Sequence, residues 1–224
     1  MKKVSFCTNC KGRLWQLKQT LPNNVKCLDE NSEIIILDYQ SPDGLKEWLE
    51  KNFKKELDTG LIKYFYLNHD YNYSCAYAKN VTHNLATGDI VFNLDADGFI
   101  DEKYLEEIRS IQHDQILLAK LWGDDEGSGG RIGLTKGNFI RLRGYKETIV
   151  GMGGDDGDLR VRAYYKHLKP KHSAFRHLAI QNTPEQKELY VNVKGLVNPP
   201  VDWPNTFGKA EVIDRAGNKI QVGV

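Results

Sequence analysis

The sequence predicts an α/β fold in which a mostly parallel, Rossmann-like central sheet is flanked by helices. Two observations lead to this class: short apolar strands alternate with segments of helical periodicity, and the second strand carries an unbroken Ile-Ile-Ile-Leu run. The unbroken run is typical of a strand that is covered on both faces. A chain of 224 residues is long enough to bury one substantial core around such a sheet.

The first half of the chain alternates strands with helices in regular order. The expected strands are Lys3–Thr8, Glu33–Leu37, Leu61–Leu67 and Ile90–Leu94. The expected helices are Arg13–Leu21, Gly44–Lys55, Ser74–Thr87 and Asp101–Gln112. We expect Pro22 to end the first helix, because proline removes a helical hydrogen bond. This alternation predicts parallel strands joined by crossover helices.

The second half is less regular. It contains a possible strand at Gln115–Leu121, irregular or short strand structure over 132–142, and a helix at Asp158–Tyr165. The segment Ala210–Val224 predicts a short C-terminal β-hairpin that turns at Arg215–Asn218. The polar, glycine-rich segment Gly123–Gly130 fits either a mobile lid beside a site or the plain tip of a hairpin.

Composition excludes several classes of function. The formal net charge is +1, which gives no sign of a general nucleic-acid or membrane-surface binder. No apolar run is long enough for a transmembrane helix or a signal peptide, so we expect a cytoplasmic protein. Cys7 and Cys10 form a C-x-x-C pair, but Cys27 and Cys75 stand alone. We therefore favour reduced structural thiols over a redox pair or a zinc site.

Asp95-Ala96-Asp97-Gly98 follows the strand Ile90–Leu94. Open α/β sheets bind ligands at the carboxyl ends of their strands. Two carboxylates facing one ligand repel each other unless a cation lies between them. Hard oxygen ligands suit Mn²⁺ or Mg²⁺ held jointly with a substrate phosphate, so the motif indicates such a site. The alternative is a solvated turn, because Asp and Gly are common turn residues.

Three further carboxylates, Asp155, Asp156 and Asp158, lie at or near the start of the helix expected over Asp158–Tyr165. Carboxylates at this position can cap a helix and interact favourably with its dipole. One of them is sufficient as a cap. The other two are therefore candidates for a functional site.

These stretches together resemble the GT-A glycosyltransferases, in particular glycosyltransferase family 2, over roughly Lys3–Gln181. The run IIILDYQSPDG at 34–44 is similar to a family motif in which a hydrophobic strand precedes Asp-Asp-x-Ser-x-Asp-Gly, with Tyr39 in place of the second Asp. The Ala-Lys-Asn at 78–80 and Ala-Thr-Gly-Asp at 86–89 resemble Ala-Arg-Asn and Ala-x-Gly-Glu/Asp, with Lys79 in place of Arg.

Two acidic motifs extend the resemblance to the glycosyltransferases. Asp95-Ala96-Asp97 resembles the D-x-D motif. The run GMGGDDGDL at 151–159 resembles Gly-Trp-Gly-Gly-Glu-Asp-x-Asp-Leu of bacterial chondroitin polymerases and animal β-1,4-galactosyltransferases, with Met152 in place of Trp and Asp155 in place of Glu.

The resemblance implies a metal-dependent transferase that moves a hexose from a UDP-sugar to an acceptor hydroxyl with inversion. It implies that Asp156 is the general base and that Asp155 binds a donor or acceptor hydroxyl. The metal ligands it implies are Asp95, Asp97 and His177, with His172 as the second choice for the histidine. The residues it implies for donor binding are Asp38 on the uracil ring, Lys79 on the phosphates, Asp95 and Thr8.

The resemblance also implies one GT-A domain with two halves. Residues 1–98 would bind the nucleotide, 99–181 the acceptor, and 182–224 would form the C-terminal extension. The acceptor, a carbohydrate or another hydroxyl-bearing molecule, stays open. Two other classes are possible: a nucleotide-sugar-binding protein without transferase activity, and a pyrophosphorylase-like enzyme of related fold. The second would need a glycine-rich phosphate loop after the first strand, where Cys7–Arg13 has one glycine.

Overall fold

Strands and helices alternate through the chain in the computed structural model, which describes residues 1–68, 73–119, 128–149, 153–175, 178–183, 185–186 and 207–223. The strands are β1 (Val4–Cys10), β2 (Ser32–Asp38), β3 (Ile62–Tyr66), β4 (Ile90–Asn93), β5 (Gln115–Leu118), β6 (Ile132–Thr135), β7 (Lys169–His172), β8 (Ala210–Asp214) and β9 (Lys219–Val222). The helices are α1 (Leu14–Lys26), α2 (Leu45–Asn52), α3 (Lys54–Thr59), α4 (Cys75–Leu85), α5 (Glu102–Arg109), α6 (Lys136–Arg141) and α7 (Asp155–Tyr165), with a short 3₁₀ helix at Ser128–Gly130.

The strands form one nine-stranded sheet in the order β7-β5-β6-β4-β1-β2-β3-β8-β9. The four central strands, β4, β1, β2 and β3, are parallel, as the alternating pattern predicted. Antiparallel pairs extend the sheet on both sides: β6 pairs with β4, and the C-terminal hairpin β8–β9 adds to β3. The predicted α/β class is confirmed, and the hairpin is part of the main sheet.

Helices cover both faces of the central strands. In β2, Ile34 and Ile36 pack into the apolar cluster that contains residues of α1 and α5, whereas Ile35 and Leu37 pack into the cluster on the opposite face. The second cluster includes Ala78 of α4. All four β2 side chains are fully buried, so the unbroken apolar run is explained by burial on two faces.

The first helix does not end at Pro22, and that prediction is wrong. α1 continues to Lys26 with Pro22 inside it. The last turn is held from outside the helix: Asn24 Nδ2 donates to the Gly98 carbonyl at 2.9 Å, and Asn24 Oδ1 accepts from the Ile100 amide at 2.9 Å. These contacts offset the helical hydrogen bond that proline removes. They also attach α1 to the segment that follows the Asp95–Asp97 motif.

Two helices in the second half differ from expectation. Residues 136–141 form α6, whose start is capped by Thr135 Oγ1 accepting from the Asn138 amide at 3.4 Å. α7 begins at Asp155, three residues before the predicted start, and its N-cap is Gly154 with φ +89°. Glycine adopts this backbone conformation without steric cost. The cap therefore has no side chain, and the neighbouring carboxylates are available for other contacts.

The cysteines are free thiols, as expected, and Cys7 and Cys10 are buried in the sheet. Burial raises the pKa of the Cys10 thiol to about 12 and that of Cys7 further, which disfavours the reactive thiolate. Within the described ranges, none of the helices combines the length and the apolar character needed to cross a membrane.

A buried carboxylate connects three strands near their amino-terminal ends. Glu33 of β2 accepts from Ser5 Oγ at 2.6 Å and lies 2.8 Å from the ammonium groups of both Lys3 and Lys63. The Thr87 amide also donates to it at 2.8 Å. Burial acts to raise the pKa of Glu33, but the hydrogen bonds from the two lysines outweigh it and lower the pKa to about 2.

We predict that this cluster contributes to stability above the pKa of an unfolded glutamate, about 4.3, and that the contribution is lost as pH falls towards 2. Glu33→Gln should lower the free energy of unfolding at pH 7 by roughly 1–3 kcal/mol, since buried donors lose a charged partner. It should also weaken the dependence of stability on pH in the acid range. Urea unfolding at pH 7, 4 and 3 measures both effects, with exposed Glu30→Gln as the control. An unchanged pH dependence in Glu33→Gln would contradict the assignment.

Candidate active site

A cavity of about 590 Å³ opens beyond the carboxyl ends of β1 and β4. β1 and β4 are neighbours in the sheet, with Cys7 opposite Asn93, so the residues that follow them meet at one edge. Among the described residues, the charged groups of its lining are Lys11, Arg13, Lys79, Asp95, Asp97, Asp155, Asp156 and Arg160. The Asp95–Asp97 motif predicted a ligand site at this edge of the sheet. The structure has a cavity there, and charges of both signs line it.

Asp95 and Asp97 both line this cavity. Asn93 Nδ2 donates to Asp95 Oδ1 at 3.1 Å, and Asn182 Nδ2 donates to Asp97 Oδ2 at 2.8 Å. Asn182 is held in turn by Gln16 Nε2 of α1, which donates to Asn182 Oδ1 at 2.5 Å. Burial raises the pKa of Asp97 to about 6, and the negative charge of Asp95 acts in the same direction.

These two carboxylates fit a hard divalent cation. A cation between them would relieve the repulsion that raises the Asp97 pKa. Within the part of the chain that the structure describes, no group of three or more His, Cys, Asp or Glu residues is arranged to hold a metal. A third protein ligand would therefore have to come from elsewhere.

The predicted third ligand, His177, lies outside the described residues. The residues next to it in sequence run along the Asp95–Asp97 turn: the Phe99 amide donates to the Leu178 carbonyl at 2.9 Å, and Ala179 bridges Gly98. His172, the second choice, is exposed on β7 and is not among the residues that line the cavity.

Lys79 of α4 is buried, and its ammonium is paired with two carboxylates. Its Nζ lies 2.8 Å from Asp155 Oδ2 and 2.7 Å from Asp156 Oδ1. The same nitrogen lies 4.8 Å from the centroid of the Tyr145 ring. Burial acts to lower the pKa of Lys79, but nearby acidic groups, including both aspartates, hold it well above its ordinary value.

Asp155 and Asp156 lie in the first turn of α7, and neither caps it. Asp158 instead bonds Arg162 of the same helix at 2.7 Å, and it does not line the cavity. Burial raises the pKa of Asp156, while Lys79 opposes that shift. None of the three is therefore the N-cap of α7, although all lie in its first turn, and two of them line the cavity.

Gly130 lies between Asp156 and the Asp95–Asp97 motif. A Cβ atom at this position would lie 3.0 Å from Asp156 Oδ2 and 3.4 Å from Asp95 Oδ2. The carboxylate pair of α7 and the motif after β4 thus approach each other across one glycine. Gly130 belongs to the predicted lid segment, of which residues 123–127 lie outside the described residues, and the lid stays a prediction.

The two remaining donor-binding predictions lie away from this lining. Asp38 is buried beside a second cavity of about 380 Å³, where its oxygens accept from the Ser41 amide at 2.7 Å and from Tyr64 Oη at 2.8 Å. The two cavities share no described lining residue. Thr8 is buried, and its hydroxyl donates to the Leu94 carbonyl at 2.7 Å. This bond holds β1 against the end of β4, beside the cavity that Asp95 and Asp97 line.

Sequence reasoning did not identify several residues at this site. Asn182 contacts Asp97, Tyr145 contacts Lys79 and Gln16 holds Asn182, yet none of the three belongs to a recognised motif. Gln16 and Asn182 are 166 positions apart in the chain. Only the folded arrangement brings them together, so no local signal in the sequence could reveal this contact.

Comparison with known proteins supports the fold. The model of the family described as "Glycosyl transferase family 2" matches residues 7–119. No curated protein sequence matches the chain. Among solved structures, the mannosyltransferase PcManGT from Pyrobaculum calidifontis, in complex with GDP-Man and Mn²⁺, has a TM-score of 0.63 and 15% identity, over 77% of this chain and 55% of that chain.

Two further solved structures are similar. S. aureus TarS with UDP has a TM-score of 0.65 and 14% identity, over 86% of this chain and 67% of that chain. A mutant of Drosophila β1,4-galactosyltransferase 7, in complex with manganese, UDP-Gal and xylobiose, has a TM-score of 0.61 and 15% identity, over 88% of this chain and 77% of that chain. The chain thus spans little more than half the length of the PcManGT chain.

Identities this low show the fold, which is the GT-A fold. The family match adds a relationship in sequence, since residues 7–119 are half of the 224-residue chain. They include the second half of β1, all of β2–β4 and the Asp95–Asp97 motif at the cavity. The chain therefore belongs to glycosyl transferase family 2.

Proposed function

We propose that the protein is a metal-dependent glycosyltransferase that transfers a hexose from a UDP-sugar to an acceptor hydroxyl, with inversion at the anomeric carbon. The observation that carries this proposal is the approach of Asp156 to the Asp95–Asp97 motif across Gly130 in one cavity. Solved relatives supply supporting chemistry: TarS has been solved with UDP, and the Drosophila galactosyltransferase with manganese and UDP-Gal.

In this proposal Asp95, Asp97 and His177 hold Mn²⁺ or Mg²⁺. When bound, the cation supplies positive charge that stabilises the departing diphosphate. The hydrogen bond from Asn182 fixes the orientation of Asp97, as an outer partner does for many metal ligands. Lys11 and Arg13 line the same cavity after β1, where they can contribute further phosphate contacts.

Asp156 acts as the general base. One of its oxygens is held by Lys79, and the other lies towards Gly130 and the motif. Its raised pKa makes it a stronger proton acceptor than an exposed aspartate. The acceptor hydroxyl would give its proton to Asp156 while its oxygen attacks the sugar opposite the leaving diphosphate, which inverts the anomeric carbon. Asp155 would bind a donor or acceptor hydroxyl through the oxygen that does not contact Lys79.

Residues 1–98 bind the nucleotide and residues 99–181 the acceptor in this proposal, with 182–224 as the extension. Asp38 accepts a hydrogen bond from the uracil ring NH in this proposal. It can do so in addition to its two existing bonds, because each carboxylate oxygen has more than one lone pair. Its bonds to Ser41 and Tyr64 hold it in one orientation. Thr8 contributes indirectly through its bond to Leu94.

Removing the charge of Asp97 should weaken metal binding without unfolding the protein. We expect Asp97→Asn to lower the affinity for Mn²⁺ in the presence of UDP at least tenfold, because a direct ligand loses its charge. Its melting temperature should hold or rise, because repulsion with Asp95 is relieved. Titration followed by the electron paramagnetic resonance of free Mn²⁺ measures the affinity. Asp114→Asn, at an exposed surface ion pair, controls for the loss of one negative charge. Unchanged Mn²⁺ binding in Asp97→Asn would refute the metal site.

Asp156→Asn tests the base against a matched control on the same helical turn. Asparagine keeps the size of the side chain but cannot accept the proton, so turnover should fall roughly a hundredfold or more. Affinity for UDP with Mn²⁺ should change little. Asp158→Asn removes the same charge from the same turn, but its partner is Arg162, so turnover should be retained.

The assay is UDP release from UDP-galactose, UDP-glucose and their N-acetylated forms, with a panel of saccharide acceptors and with water as acceptor. Comparable turnover in Asp156→Asn and Asp158→Asn would overturn the assignment of the base. Loss of turnover in both variants would show that the effect is due to charge and not to proton transfer.

A further inference from the structure

We propose that Lys79 is a positioning residue that holds the general base, and that it is not a ligand of the donor phosphates. Its ammonium fixes one oxygen of Asp156 and leaves the other towards the cavity, which presupposes the role proposed above for Asp156. The resemblance to Ala-Arg-Asn had placed the cation of this motif on the diphosphate. The contacts of Lys79 indicate a different use.

The Lys79 ammonium has three partners in the protein: two carboxylates and one aromatic ring. One points to Asp155 at 2.8 Å and one to Asp156 at 2.7 Å. The Tyr145 ring, at 4.8 Å, offers its face to the cation. The lysine side chain is only 3% exposed. A phosphate that bound this ammonium closely would therefore compete for it with a buried carboxylate.

Such an exchange is unfavourable for Asp155. Its side chain is 4% exposed, and a buried carboxylate without its cation carries a large desolvation cost. Lys11, Arg13 and Arg160 also line the cavity, and no carboxylate side chain is shown to bond Lys11 or Arg160 among the described residues. Lys79 thus serves the pair of acids, and other cations are available for the donor.

Asn80, the residue after Lys79 in α4, also connects this helix to the second half of the chain. Asn80 Nδ2 donates to the Tyr145 carbonyl at 2.8 Å, and Asn80 Oδ1 accepts from the Tyr145 amide at 2.8 Å. Asn80 therefore fixes the backbone of the residue whose ring covers Lys79. Consecutive residues of the Ala-Lys-Asn motif connect α4 to the second half of the chain: Asn80 holds the loop before α7, and Lys79 holds the first turn of α7.

Lys79 also favours the ionised form of Asp156 beside other acids. The groups that face Asp156 are Lys79 and Cys75 from α4, Asp155 from its own helix, Asp95 from the turn after β4, and Tyr145 from the loop before α7. Burial and the negative charges of Asp155 and Asp95 raise the pKa of Asp156, whereas Lys79 lowers it. Without Lys79, the proton would remain on Asp156 to higher pH.

The test compares Lys79→Met and Lys79→Arg with Lys136→Met. Lys136 is a matched control, because its ammonium also stabilises α4, by donating to the His83 and Asn84 carbonyls at 3.2 Å, and it does not line the cavity. Calorimetry measures affinity for UDP with Mn²⁺. UDP release from the UDP-sugars gives turnover and its dependence on pH.

We expect Lys79→Met to bind UDP with Mn²⁺ within about threefold of the unmodified protein while turnover falls roughly a hundredfold. The acid limb of its pH profile should move to higher pH, because ionised Asp156 is favoured less. Lys79→Arg should recover at least a tenth of the turnover, since it restores the charge. Lys136→Met should lose stability without moving the pH profile. A loss of UDP affinity of tenfold or more in Lys79→Met, with turnover at saturating donor retained, would overturn the inference and make Lys79 a donor ligand.

A readout without turnover separates this inference from the function on which it rests. In protein labelled with ¹³C at the aspartate carboxyls, the signal lost in Asp156→Asn identifies Asp156, and its titration is followed by NMR. In Lys79→Met its pKa should rise by at least one unit, and in Lys136→Met it should not move. An unmoved Asp156 signal in Lys79→Met would refute the positioning role, whether or not the protein transfers sugar. If the titration of Asp156 shifts in Lys79→Met but the unmodified protein shows no turnover, the contact between Lys79 and Asp156 stands and the proposed transferase activity is refuted.

Discussion

The ion cluster of Lys79, Asp155 and Asp156 is the interaction on which the arrangement of the site depends. It joins α4, which packs against the central sheet, to α7, which supplies the carboxylates of the second half. Because the ammonium is buried between two acids, neither helix can move away without leaving an unpaired charge in the interior. The position of Asp156 relative to the Asp95–Asp97 motif is therefore set by packing as well as by local sequence.

The parallel centre of the sheet determines which residues can reach that cluster. β1 and β4 are adjacent, with Cys7 opposite Asn93, so Asn9 at the end of β1 and Asp95 just after β4 both line the cavity. Thr8 adds a side-chain bond across the same pair, to the Leu94 carbonyl. α1 then returns against the motif through Asn24 and Gln16. Gln16 reaches Asp97 through Asn182, and Asn24 bonds the backbone after the motif. The Asn24 bonds lie beyond Pro22 and hold the last turn of the helix.

Local patterns in the sequence were sufficient to predict the central strands and to single out Asp95, Asp97, Asp155 and Asp156, which line one cavity, while their roles stay predictions. Each belongs to a short segment whose periodicity or turn chemistry is visible without the fold. The partner of Lys79 was not predictable, because 76 residues separate it from Asp155. Pro22 was misread because a helix boundary was inferred from propensity, whereas contacts from Gly98 and Ile100 decide it. Tertiary contacts outweigh propensity at such positions.

Two clusters with buried acids lie at opposite ends of the central strands in the described part of the chain, and different causes set their pKa values. Glu33 has two lysines for one carboxylate, and its pKa falls to about 2. At the cavity, burial raises the pKa values of Asp97 and Asp156, and neighbouring aspartates act in the same direction. A carboxylate held by two lysines stabilises the fold and has little tendency to take up a proton. A buried carboxylate beside other acids is less favourable in its ionised form, and a cation or a proton from a substrate relieves that cost. Perturbed acids of this kind are typical of functional sites, and here they line the cavity that carries the Asp95–Asp97 motif.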